Sequence, residues 1–495
     1  MSETPCYDEC RYLIRLADRL ESLISAENSG LKDWRDRANA LLHSQDLESL
    51  TGERTLDDLA LQLRREWLHF ANSVSSRYFR SPTSFQLPRL PSGSAAPTPY
   101  DRWMQPVSLE QRASGYHPAP EGWRADHVLF NTGMGVVTCL LPVLRTMFQP
   151  RTDSPLRMHG LGGYFEIMDL ITANNDDLFQ ASIFRDQAQL RTSVSSGESQ
   201  VIYVEPVSCR FDLDVFDLDA FLDAWKQRPQ NIPGVIVFDT TLTANRFPIA
   251  EVLQRLQPGK PWAVVQFSSV LKLDQEGLEF SNGGLMSVYS VNAGNMEDFS
   301  FRMRRFRSAM GLGLTMDQLA MLDYPGFMDQ AIIERHSNSI FENNAYLAKR
   351  VDTGEDLLFD SKSHPVLNGD TEYPWAVAPF VYFRLRKGSD KEDLQLLKHV
   401  FYNEAEKRGL TFMPGSSFGF RGHRCELGGI RDVPGYETIR VAMGARKGPN
   451  VDEAVKLLND LGLMRDFGRI REMYPELVDV ARKEAEQKKK YFGGS

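Results

Sequence analysis

The sequence predicts an α/β protein: a large domain built on a mostly parallel sheet, followed by a smaller C-terminal α+β domain. Three observations carry this expectation. Between about residues 126 and 330, short apolar runs recur, "VIYVEP", "GVIVFDTT", "WAVVQFSS" and "GLMSVYS", each too continuous to have one face in water. Such runs are the mark of strands covered on both faces. Segments with helical periodicity, such as "LDAFLDAW" and "IAEVLQRL", separate them. The last third changes texture: "WAVAPFVYFRLRKG" and "ETIRVAMGARKG" read as strands, and "KEDLQLLKHVFYNEAEKRG" and "NVDEAVKLLNDLG" as helices ending at glycine.

Ahead of the sheet lies a helical extension. "YLIRLADRLESLI" sets Leu13, Leu16, Leu20 and Leu23 on one helical face, which we read as a wrapper burying its stripe on the main body. "SPTSFQLPRLPSGSAAPTP" (81–99) is too rich in proline and serine for a helix or a central strand and reads as an extended arm. The expected divisions are 1–98, 99–330 and 331–495. With 42% hydrophobic and 25% charged residues among 495, the composition is that of a globular protein, and a net charge of −9 gives no reason to expect nucleic acid or an anionic membrane as partner. The five cysteines are scattered; Cys6 and Cys10 lie a helical turn apart but lack a matching ligand pair, so no metal is expected. "MSETPCYDECRYL" lacks the basic and apolar regions of a secretory signal, and the expected location is cytoplasmic.

In parallel α/β sheets ligands sit beyond the carboxyl ends of the strands, where Glu205, Asp239, Ser268, Ser269 and Lys272 end their runs. A lysine in apolar surroundings keeps a free amine able to form a Schiff base with a carbonyl. Pyridoxal 5'-phosphate (PLP) uses such a lysine and needs a carboxylate at its ring nitrogen, a role suited to Asp239. Its phosphate needs backbone N–H groups at a helix start, and "NTGMGVVTCLLPVL" opens an apolar helix with Gly133 and Gly135.

The order of these motifs resembles the Cys/Met metabolism branch (cystathionine gamma-synthase and gamma-lyase-like) of fold-type-I PLP-dependent enzymes, over about residues 98 to 463. "YDRWMQPVSLEQ" matches the family's tyrosine-x-arginine arm, "NTGMGVV" its phosphate turn, "YVEPVS" and "FDTTLTANRFP" its next two strand ends, "SVLK" its lysine motif, and "SSFG" and "IRVAMG" its small-domain motifs. The resemblance implies a seven-stranded-type sheet, PLP as cofactor and an amino acid as substrate. It makes Lys272 the covalent anchor and proton shuttle, and Asp239 the partner of the ring nitrogen. Gly133, Met134 and Ser269 would hold the phosphate, and Tyr100 and Arg102 would reach it from a neighbouring subunit, Tyr100 counting with Lys272 among the catalytic residues. The site would then be shared within a homodimer or homotetramer. Arg440 and Ser417 would bind the substrate, Arg440 by its bidentate fork on the α-carboxylate; the plainer reading of Arg440 is an exposed charge on an edge strand.

The sequence departs from the family in its acid/base shell. Leu161 of "HGLGGYFE" stands where the family has a cofactor-stacking tyrosine, for which Tyr164 and His159 are the two candidate substitutes. Leu271 and Leu273 flank the lysine in place of polar residues, and the asparagine that touches the cofactor's phenolic oxygen falls near Ser208 or Cys209. A weakened general acid suits a γ-substituent that departs without a proton, such as chloride or a neutral sulfide. The expected function is γ-elimination or γ-replacement through a vinylglycine-type intermediate, in the specialised-metabolism direction of a propargylglycine-forming acetylenase acting on a halogenated allylglycine. A PLP-dependent aminotransferase is the alternative, and a catalytically silent scaffold of the same fold the second. "FGFRGHRCE" stays open between an anion contact by Arg421, His423 and Arg424 and a solvated loop.

Overall fold

The computed structural model describes residues 4–24, 30–75, 89–95, 103–148, 155–229, 231–232, 234–256, 261–369, 373–386, 388–428 and 437–492. Three helices come first: α1 (Pro5–Glu21), α2 (Gly30–Leu42) and α3 (Leu50–Ser75). After α4 (Val107–Tyr116), strands and helices alternate: β1 (Arg124–Phe130), α5 (Gly133–Phe148), β2 (Leu156–Leu161), α6 (Phe165–Ala173), β3 (Phe179–Phe184), α7 (Gln187–Ser195), β4 (Val201–Val204), α8 (Leu218–Gln227), β5 (Val235–Asp239), α9 (Ile249–Leu256), β6 (Ala263–Ser269) and β7 (Gly284–Ser290). These strands form one seven-stranded sheet in the order β1-β7-β6-β5-β4-β2-β3. The sheet is parallel except for β7, which runs against both β6 and β1.

The apolar runs are continuous because the sheet is covered on both sides. Along β5, Val235 and Val237 pack with α5, while Ile236 and Phe238 pack on the opposite face with residues of α7, α8 and α9. Side chains of a strand alternate in direction, so a run with both parities apolar needs two covering layers.

Three further helices, α10 (Ala293–Met310), α11 (Met316–Leu322) and α12 (Gln330–Arg350), lead to the second sheet. It comprises β8 (Phe359–Ser363), β9 (Val381–Leu385), β10 (Phe412–Pro414), β11 (His423–Leu427) and β12 (Thr438–Ala442), in the order β10-β11-β12-β9-β8. The helices α13 (Lys391–Lys407), α14 (Pro449–Gly462), α15 (Phe467–Met473) and α16 (Pro475–Phe492) complete this part.

Three of the four leucines of the expected stripe are buried: Leu13, Leu16 and Leu20 share a core with α3, α4, α11 and Val270, Leu278 and Phe280 of the β6–β7 connection, while Leu23, past the end of α1, is half-buried against it. Ion pairs reinforce this junction. Arg421 donates from Nε to Glu9 Oε1 at 3.0 Å and from Nη1 to the Glu276 carbonyl at 2.9 Å. Arg446 meets Glu53 at 2.9 Å and Asp57 at 2.8 Å, both on α3. Arg64 Nη2 donates to the Glu279 carbonyl at 2.8 Å. "FGFRGHRCE" is therefore neither an anion contact nor a solvated loop. Arg421 and His423 are 8% and 2% exposed, His423 bonds Asn450 at 3.0 Å, and Arg424 pairs with Glu279 at 2.7 Å. The segment fastens the helical extension to the turn that follows Lys272.

Candidate active site

A cavity of about 220 Å³ opens at the carboxyl ends of β4, β5 and β6 and is closed from the other side by residues 416–418 and β12. Its lining brings together Gly133, Met134, Asp239, Ser269, Lys272, Ser417 and Arg440, along with Tyr164, Glu205, Cys209, Thr241 and Phe418. Tyr100 and Arg102 lie outside the described residues.

Lys272 follows β6 at the point where the strand ends and a short 3-10 turn begins. Its Nζ lies 4.2 Å from the centroid of the Phe418 ring and 5.8 Å from that of Tyr164. Burial holds its ammonium below the usual lysine range, and the nearby Arg440 guanidinium adds to the effect. The direction of the shift favours the free amine more than in a solvated lysine. The turn is held from the second sheet: Gly419, at φ +85°, lies so close that a Cβ there would sit 2.8 Å from the Lys272 carbonyl carbon. Only glycine combines that approach with that backbone conformation.

The start of α5 is equally tight. A Cβ on Gly133 would sit 2.9 Å from Ser269 Cβ, and Gly135 N–H is capped by Thr132 Oγ1 at 2.8 Å. The amides of Gly133 and Met134 open the helix, where N–H groups lack an intrahelical acceptor and favour an anion. The Ser269 amide is taken by Thr241 Oγ1 at 3.1 Å, while its hydroxyl has no protein partner among the described residues. Ser268, on the other face of β6, is buried outside the cavity.

Asp239, 8% exposed at the end of β5, accepts the Thr241 N–H at 3.0 Å. Burial raises its carboxyl above the usual range, against the pull of Thr241 and Lys272. Beside it, Glu205 accepts N–H groups from Gly163 (2.9 Å), Tyr164 (3.0 Å) and Cys209 (2.7 Å), and burial and Asp239 push its pKa up to about 7. Burial raises the Cys209 thiol to about 11. The Tyr203 hydroxyl stands between the two carboxyl groups.

Tyr164 occupies the cavity although it follows the Gly-Gly pair instead of preceding it. Its hydroxyl donates to Glu166 at 2.6 Å, and burial together with that carboxylate raises its pKa. His159 is excluded from the cavity, being held by Ser193 at 2.5 Å and Ser199 at 2.7 Å on β2. Cys209, not the buried Ser208, faces the cavity. Arg440 is not on an edge, because β12 runs between β11 and β9. It bonds the Tyr382 hydroxyl at 3.4 Å and lies 5.0 Å from the Phe380 ring, with no carboxylate partner among the described residues. Sequence reasoning passed over Tyr203, Thr241 and Phe418 as site residues; Tyr203 was accessible as the residue two positions before Glu205, on the same strand face.

The donor set fits a phosphorylated pyridine aldehyde. An amine of lowered pKa, a carboxyl at a strand end, free amides at a helix start and an uncommitted serine hydroxyl line one space, and adding a Cβ to Gly133 would crowd it.

The mixed α/β fold with a large, mostly parallel sheet is shared with solved structures at low sequence identity. Methionine gamma-lyase CalE6 from Micromonospora echinospora, in its apo form, superposes with a TM-score of 0.51 at 16% identity over 72% of this chain and 87% of its own. Cystathionine gamma-lyase from Lactobacillus plantarum, complexed with L-serine, gives 0.52 at 14% identity over 74% and 89%. Cystathionine gamma synthase from Xanthomonas oryzae pv. oryzae, in complex with aminoacrylate and cysteine, gives 0.51 at 15% over 74% and 87%. No family model matches the sequence, and no curated protein matches it. Among the described residues no helix is long and apolar enough to cross a membrane.

Proposed function

We propose that this protein is a PLP-dependent lyase acting at the γ-carbon of an amino acid with a good γ leaving group. The observation that carries the reading is the convergence of Lys272, Asp239, Ser269, the Gly133–Met134 turn and Arg440 on one cavity. PLP, when bound, supplies an electron sink for charge developing at the substrate's α-carbon. The protein's own residues do the rest. Gly133, Met134 and Ser269 would hold the phosphate, and Asp239 would hold the ring nitrogen. Arg440, free of any described carboxylate, grips the substrate carboxylate, with Ser417 beside it. Lys272, poised as an amine, takes the α-proton and carries protons between Cα, Cβ and Cγ. Tyr100 and Arg102 of one chain complete the phosphate site of another in a homodimer or homotetramer.

The leaving group follows from Tyr164. Its proton is committed to Glu166 and its acidity is weakened there, so a substituent needing protonation would leave slowly. Chloride or a neutral sulfide needs none. A halogenated allylglycine, yielding an unsaturated or alkyne amino acid, is the substrate class we favour.

The test is the visible spectrum of the PLP-reconstituted protein before and after a chlorinated allylglycine is added, with released chloride measured in parallel. The reading expects a yellow chromophore, a spectral change and chloride release. Efficient turnover of cystathionine or O-acylhomoserine without chloride release would overturn the leaving-group assignment. Accumulation of pyridoxamine phosphate would make the protein an aminotransferase. Absence of any chromophore would sink the cofactor assignment.

A further inference from the structure

Two carboxyl groups and one phenol hydrogen meet at the floor of the cavity. Tyr203 lies on β4 and Glu205 just beyond its end, on the same face; Asp239 ends the neighbouring strand β5. The Tyr203 hydroxyl is 3.2 Å from Glu205 Oε1 and 3.3 Å from Asp239 Oδ2, and all three residues are buried. A phenol has a single hydrogen to donate, so it satisfies one carboxyl and turns a lone pair towards the other.

The remaining hydrogen bonds decide which. Glu205 Oε1 faces the Tyr164 amide and the phenol, and Oε2 faces the Gly163 and Cys209 amides. Every acceptor direction of Glu205 meets a donor, as an ionised carboxylate requires, and no acceptor is left for a proton of its own. Asp239 accepts from Thr241 through Oδ1. The phenol is also within donating reach of Asp239 Oδ2 at 3.3 Å; with its hydrogen given to Glu205, that contact is attractive when Oδ2 itself carries hydrogen.

We propose that Glu205 is a positioning residue which, through Tyr203, holds one shared proton of the carboxyl pair on Asp239 Oδ2. The chain then runs in one direction, Asp239 O–H to Tyr203 and Tyr203 O–H to Glu205. Two like charges so near one another in a dry site resist joint ionisation. The other groups facing the pair are Lys272, whose charge favours ionised Asp239, and the neutral Cys209 and Tyr164. If the PLP reading holds, an arriving ring nitrogen meets a carboxyl that already owns the proton it needs. Asp239 would hold that nitrogen and could supply the proton from Oδ2, becoming the carboxylate while Glu205 stays ionised, so the total charge is unchanged.

The experiment is infrared difference spectroscopy on the full-length protein without PLP near neutral pH, comparing wild type with Asp239→Asn, Glu205→Gln, the double variant and Tyr203→Phe. The expected result is one protonated-carboxyl band that moves when aspartate, and not glutamate, carries carbon-13, is lost in Asp239→Asn, weakens in Glu205→Gln as the neighbouring charge is removed, and shows no further loss in the double variant. If that band moves with labelled glutamate instead, the proposal is overturned. Buried Glu276 contributes a band common to all and cancels. Survival of the band in folded Asp239→Asn, an undiminished band in folded Glu205→Gln, or no band to lose, overturns the proposal. Should Glu205→Gln fail to fold, Tyr203→Phe decides: the band shifts in frequency if Oδ2–H donates to the phenol, and an unmoved band refutes it. Failure of the wild type to bind PLP would sink the functional reading alone, since this measurement uses no cofactor.

Discussion

Two regions of this molecule hold buried or half-buried cationic side chains, and they treat them in opposite ways. At the junction between the helical extension and the body, Arg421 meets Glu9 and Arg446 meets Glu53 and Asp57. In the cavity, Lys272 sits against the Phe418 ring and Arg440 against Phe380, with no carboxylate paired to either among the described residues. Partnered burial is structure; a half-buried cation held against aromatic rings in an open cavity is poised for an anion or carbonyl that comes from outside. The junction has one exception, Glu276, fully buried with Arg19 at 3.5 Å, whose pKa burial raises to about 8 against the pull of the Arg421 charge.

The contrast yields graded predictions. Lys272→Ala is expected to abolish the covalent chromophore and reduce turnover by at least about three orders of magnitude, while urea unfolding stays close to wild type. A large loss of stability would mean that the lysine is a structural charge after all. Arg446→Met is the converse: it strands the buried Glu53 and should cost about 3–5 kcal/mol in urea titration, with the reconstituted spectrum unchanged. Glu276 sharpens the junction side by its pH dependence. With its pKa raised in the folded state, its proton is bound more tightly there than in the unfolded chain. Its stabilising share is complete below the ordinary glutamate range and is lost as pH rises towards about 8. Wild-type stability should therefore fall over that window with a slope of up to about 1.4 kcal/mol per pH unit, and Glu276→Gln should flatten it. The smallest effect is expected for Arg440→Lys, which keeps the charge but not the fork: KM should rise about ten- to a hundredfold, matching the about 1.5–3 kcal/mol of a charge-assisted hydrogen bond, with stability unaffected.

Much of this was legible before any coordinates. The sheet announced itself because strands covered on both faces are mostly apolar until they end, so Asp239 and Lys272 stood out where the runs "GVIVFDTT" and "WAVVQFSS" gave out. The leucine stripe of α1 was equally plain. The junction was not, since Glu9 and Arg421 are joined by folding and share no local pattern. Tyr164 was visible as a residue but not as a cavity wall, because the departure from the expected tyrosine position hides in how the Gly162–Gly163 turn redirects the chain. The Glu205–Tyr203–Asp239 arrangement required knowing that β4 and β5 are neighbours, which strand order alone decides.

The fastening of α1 and α3 has a practical corollary for anyone trimming the chain. A deletion ending near Leu90 would retain every cavity residue described above, and by the logic of domain dissection would look like a minimal catalytic fragment. It would also remove Glu9, Glu53 and Asp57, leaving two guanidinium groups embedded without counter-ions and Leu278 and Phe280 uncovered. The extension thus covers the connection that follows the lysine turn, and such a fragment is expected to regain stability when the extension is supplied as a separate helical peptide.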